Sequence, residues 1–171
     1  MVMTHYMELL AANQPWNLIF FMVIPVVLAE ALVAAEFFIM YRGSKDSAWQ
    51  NLSKFLGILA GVYFTGIFAY MAVDVVPTIQ WRGYADVIAV GAYILGVIPL
   101  AGIALLELGF TGRGLDKMQK LHRHFVLLIG FLVVSHVAMV FGMVDPSITG
   151  WQNDTPPMQQ MDMHSGHNMS K

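Results

Sequence analysis

The chain has 171 residues, a net charge of −2, 57% hydrophobic residues and only 12% charged ones. Soluble domains carry about 25% charged residues, so an ordinary soluble fold is excluded, and without a basic face so is a nucleic-acid partner. The absence of Cys removes disulfides, thiolate metal sites and cysteine nucleophiles together.

Residues 1–16 hold no Lys or Arg. They lack the basic start of a signal peptide, so the apolar run that follows is expected to stay as a helix. Four such runs occupy 17–41, 55–79, 85–110 and 124–144. Each is about 20 residues or longer, enough to cross ~30 Å of hydrocarbon. Lipid offers the backbone no hydrogen bonds, so each run is read as a helix. The fold class expected is an all-α membrane protein: a four-transmembrane-helix bundle over 17–145, preceded by segment 1–16 and followed by tail 146–171. Trp16, Trp81 and Trp151 fall just outside span ends, where indole rings favour the interface. Pro25 and Pro99 lie inside spans one and three, where a neighbouring helix or a kink must accommodate the backbone groups they free. Gly57 and Gly61 in span two have the small-residue spacing that lets helices approach closely.

Basic residues set the orientation. Arg42, Lys45 and Lys54 fall in the first loop region, and Arg113, Lys117, Lys120 and Arg123 in the third; only Arg82 and Lys171 lie elsewhere. This bias predicts that both basic loops are cytoplasmic and both termini outside, hence periplasmic for a protein of a bacterial inner membrane.

Charges within a bilayer are costly and need explaining. Span one carries Glu30 and Glu36, span two Asp74, span three Glu107 and span four His136. Glu30 is 12 residues from Arg42 and His136 is 12 from His124, so both sit roughly 18 Å from the cytoplasmic boundary, a depth match that allows a Glu–His pair across helices. Glu36 and Glu107 are expected to meet Lys or Arg of the basic loops. Asp74 shares a helix face with Tyr63 and Tyr70, whose hydroxyls can satisfy a carboxyl.

Span four also carries Met118, His122, His136, Met139 and Met143 close to one face. Thioether plus imidazole is a ligand set that favours Cu(I) over hard cations. The tail repeats it with Met158, Met161, Met163, His164, His167 and Met169, in a polar segment that follows Pro156-Pro157, is expected to be disordered when unliganded, and has no packing use for methionine. Met3, His5 and Met7 give the N-terminal segment a similar mixture. The charge bias places all of these on one side, as a ladder for a soft ion in an oxidising compartment. Met118 and His122 stand at the other end, as an exit site.

The Met/His tail, Met139-x3-Met143 and Gly57-x3-Gly61 resemble devices of the Ctr-type copper transporters. Those transporters have three spans and the opposite motif order, so the resemblance implies copper-ligand chemistry and not their fold. The whole layout is similar to small bacterial inner-membrane proteins of the permease type.

The function expected is binding of copper with delivery or transport, to a periplasmic copper protein or cuproenzyme, by a chain that forms homo-oligomers if it carries solutes. Two alternatives stand beside it. A proton-coupled small-solute permease would use Glu30, Asp74, Glu107 and His136 as relay groups. A haem- or quinone-binding redox subunit is disfavoured, because spans one to three contain no histidine to face His136. No nucleophile–base set, phosphate loop or zinc-protease motif is present, so an independent enzyme is not expected.

Overall fold

The computed structural model describes residues 4–42 and 47–149. Among these the chain is all-α, and four helices are long and apolar enough to cross a membrane: Trp16–Arg42, Ala48–Val75, Tyr84–Glu107 and Lys117–Gly142. They are spans one to four of a multi-pass membrane protein. A short helix, α1 (His5–Ala11), precedes them. The even number of crossings leaves α1, the 76–83 connection and residues 143–149 at one end of the bundle, the terminal end. Span one ends and span two begins at the other, the loop end, where residues 108–116 join spans three and four.

Two helices begin well before the apolar runs do. Helix is already present at Ser47 ahead of span two, where the run starts at 55, and span four starts at Lys117 rather than 124. Both extra stretches are polar first turns. For span four the start has a local cause, since the Asp116 backbone N–H donates to Gln119 Oε1 at 3.3 Å, half of a reciprocal cap.

Span three is central: its second half packs on spans two and four, and its first half on span four. Glycine sets the closest approach. A Cβ placed on Gly61 would lie 2.5 Å from both Leu100 O and Ala104 Cβ, and one on Gly57 would lie 2.9 Å from Ile103 Cγ2 and 3.0 Å from His124 Nε2. The Gly57-x3-Gly61 pair is thus the seam between spans two and three. Span one packs on span two and meets span four only along a short stretch.

The two intramembrane prolines are accommodated in different ways. Pro25 has no N–H to offer the Phe21 carbonyl four residues back. A π-helical turn forms over Ile19–Val23, and the freed Phe21 carbonyl accepts from Tyr93 Oη of span three at 2.7 Å. The adjacent Phe20 carbonyl accepts from Tyr63 Oη of span two at 2.9 Å. Tyr63 is therefore spent on span one rather than on Asp74, which is exposed within a second π turn, Met71–Val75. Ahead of Pro99, span three breaks at Gly96 into Tyr84–Leu95 and Val97–Glu107.

Candidate functional site

Spans one and four touch near the loop end and part towards the terminal end, where with span three they line a chamber of about 480 Å³ overlain by α1; it is open at the side, where Glu30, His136 and Met143 are exposed. Its walls are mainly apolar, with the rings of Phe21, Phe64, Tyr93 and Phe131 among them. Into it come Met7 from α1, Met22 and Glu30 from span one, and His136, Met139 and Met143 from span four. Four thioethers, one imidazole and one carboxylate from three separate stretches of sequence thus line one space.

His136 Nδ1 lies 2.6 Å from the Leu132 carbonyl, which can only accept, so Nδ1 carries a hydrogen and in the neutral ring the lone pair falls on Nε2. Metal-binding histidines use this outer hydrogen bond to fix ring and tautomer. Among the described residues no group of three or more His, Asp or Glu is placed to hold a metal ion. Thioether sulfur and imidazole, which the chamber does present, are soft donors.

Glu30 and His136 share the chamber but not a depth. The Glu–His pair that forms is Glu36 with His124: Glu36 Oε1 bonds His124 Nδ1, and the two residues are 0% and 2% exposed. His124 Nε2 faces Glu107 Oε1 at 3.7 Å, and Glu107 Oε2 holds Lys120 Nζ at 2.9 Å. Spans one, three and four are thereby joined by one chain of charge beneath the chamber floor. With the imidazole protonated its four charges sum to zero. Glu36 Oε2 and His124 Nε2 remain buried without a hydrogen bond. The expected depth match failed because it set His124 level with Arg42. The helix start at Lys117 buries His124 two turns inside, and with Glu36 beside it Glu30 lies about 9 Å deeper than His136. Glu36 consequently pairs with a buried histidine rather than with a loop cation, whereas Glu107 does meet a loop-end lysine.

Other residues singled out in the sequence are scattered. Met118 is 68% exposed and His122 is exposed too, both on the outer face at the loop end and outside the chamber lining. His5 lies in α1 with its Nδ1 3.8 Å from Glu8 Oε2. Met3, Met158, Met161, Met163, His164, His167 and Met169 lie outside the described residues.

The most consequential residue the sequence reading passed over is Asp86. It is fully buried at the terminal end. Its Oδ1 accepts from the backbone N–H of His5 at 2.7 Å and of Tyr6 at 3.5 Å, and its Oδ2 from that of Arg82 at 3.1 Å. Arg82 in turn donates to Glu8 Oε1 at 2.6 Å. The signal was available: Asp86 is a charge one residue inside the expected start of span three, and every such charge needs a partner.

Fold and site define a multi-pass helical membrane protein with a methionine-lined chamber at one end and a buried carboxylate–imidazole chain below it. The chain belongs to the DUF6803 family, a family of unknown function, whose model matches residues 1–158. No curated protein and no solved structure matches it. The family match covers every chamber residue and ends before Met161, so the later Met and His of the tail lie beyond it.

Proposed function

We propose that this protein binds Cu(I) in the chamber and passes it on, as a copper-delivery or copper-transport protein of a bacterial inner membrane. The observation that carries this reading is the convergence of Met7, Met22, Met139, Met143 and His136 on one cavity, a set of donors that suits a soft monovalent ion and few others. The basic residues at the loop end support a cytoplasmic position for that end. The chamber then opens to the periplasmic side, where tail residues 158–169 would collect the ion. A periplasmic copper protein or cuproenzyme is the partner such a site would serve.

The test is Cu(I) titration of the detergent-purified full chain against a competing chelator, beside a truncation after Asn153 and the variant His136→Ala/Met139→Leu/Met143→Leu. One tight site should survive truncation and weaken in the triple variant by at least the 10–100-fold that loss of outer-shell partners alone brings. An unchanged affinity in the triple variant removes the chamber from the proposal. The buried Glu36–His124–Glu107–Lys120 chain favours a second reading, a proton-coupled permease. That reading would gain if the protein binds no copper and Glu36→Gln abolishes uptake of a solute.

A further inference from the structure

We propose that α1 is a ligand-bearing lid on the chamber, and that Asp86 is the positioning residue that holds it shut. The part played by Met7 as a ligand rests on the copper reading; the lid itself does not.

Seven residues of helix are too few to persist alone in water, where about 12–15 are needed even for favourable sequences. α1 (His5–Ala11) is helical because it is docked. Its docking is concentrated at its first turn. Asp86 takes the backbone N–H groups of His5 and Tyr6, and Thr4 Oγ1 donates to the Gly142 carbonyl at the end of span four. A carboxylate accepting backbone N–H groups makes hydrogen bonds roughly twice as strong as neutral ones. Beyond them lie the partly exposed Glu8–Arg82 pair and the bond from Asn17 Nδ2 to the Leu9 carbonyl at 2.9 Å. Only Tyr6 and Leu10 of this helix are fully buried. Tyr6 fits because Gly142 has no side chain: a Cβ there would stand 2.7 Å from Tyr6 Cδ1. Few buried side chains, with the strongest polar ties gathered at one end, mark the segments that open locally, well below the free energy of global unfolding.

What lies beneath this latch makes it more than a terminal ornament. Tyr6, Met7, Leu10 and Ala11 form the chamber roof. Seating α1 therefore covers the terminal end of the cavity and adds a thioether to it in the same movement. Unseating α1 removes the cover and the Met7 donor together, so release of an ion would coincide with opening. Asp86 is not itself part of the chamber lining; it acts through α1, whose His5 and Tyr6 amides it holds.

The chain has no cysteine, so Ser135→Cys places a single thiol in the chamber wall. In metal-free protein held in a bilayer, whose lipid keeps a charged maleimide from the sides of the bundle, the rate of its labelling reads how often the lid opens. Asp86→Asn should raise that rate about tenfold or more, as loss of a charge-assisted hydrogen bond predicts. Glu8→Gln should raise it less. Hydrogen exchange on the wild-type chain needs no variant: amides 5–11 should exchange faster than those of span three, and Cu(I) should slow them. Equal labelling rates in Asp86→Asn and its parent, or α1 amides as protected as span three, overturn the lid. Fast α1 exchange and faster labelling in Asp86→Asn, with no effect of Cu(I), would keep the lid and sink the copper reading. Tight Cu(I) binding unaffected by Met7→Ala would keep the copper reading and overturn the ligand-bearing part of this proposal.

Discussion

Gly61→Ala adds one methyl group at the tightest contact of the bundle. Its Cβ would stand 2.5 Å from the Leu100 carbonyl oxygen and from Ala104 Cβ, about 1 Å short of ordinary van der Waals contact. The obstruction includes backbone, so no rotamer change relieves it; spans two and three must separate or twist. Overpacking of this kind costs about 1–3 kcal/mol. Against it stands the better helix propensity of Ala, worth up to ~1 kcal/mol. The net expectation is a loss of about 1–2 kcal/mol. Gly66→Ala in the same helix is the control, because nothing lies within 4 Å of its Cβ position, and it should be neutral or slightly stabilising. Reversible unfolding in mixed detergent micelles measures both. If Gly61→Ala proves as stable as Gly66→Ala, spans two and three do not meet at this seam and the packing described above is wrong.

Two further outcomes follow from the buried groups. Glu36→Ala strands His124 in the interior, and removing one member of a buried pair costs about 3–5 kcal/mol; Glu36→Leu combined with His124→Leu should recover most of it, and a double-mutant cycle with no coupling would refute the pairing. Burial pushes the Tyr6 phenol up to about 12 from its ordinary 10.0, so the folded chain holds a proton that the unfolded chain has lost. Stability from this source is complete below pH 10 and falls as pH rises towards 12, by about 3 kcal/mol in all. Tyrosinate absorbance of the wild type minus that of Tyr6→Phe should show one phenol titrating late, and a midpoint near 10 would contradict the seated α1.

Much of this architecture is legible in the amino-acid order, and the misses have identifiable causes. The four spans follow from apolar runs separated by charge, because nothing else in so hydrophobic a chain can satisfy its backbone in lipid. Gly57 and Gly61 announce a close helix approach, and Pro25 announces a freed carbonyl. The acceptor, Phe21, follows from counting four back; the donor, Tyr93, does not, because it depends on how span three is rotated. The Glu30–His136 match failed on a helix boundary: polar turns such as 117–123 are invisible to hydropathy, yet the Asp116 and Gln119 spacing marks the start. Met139 and Met143 were readable as one helix face. That Met7 and Met22 join them was not, since α1 folds back over the bundle by means of Asp86, a single residue more than 75 positions away in sequence.

The π turn of span one has a mechanical meaning as well. Its two consecutive carbonyls are tied by Tyr63 to one neighbouring helix and by Tyr93 to another, and two turns before its far end the same span is tied by Glu36 to a third. A rod braced on three sides cannot slide or roll without breaking several bonds at once. Span one is thus the fixed post of the molecule. Any change in chamber volume falls to what hinges on that post, the residues 12–15 that swing α1, and a single residue deleted from the wide turn would rotate the post's upper half by about 100° and carry Met22 off the chamber wall.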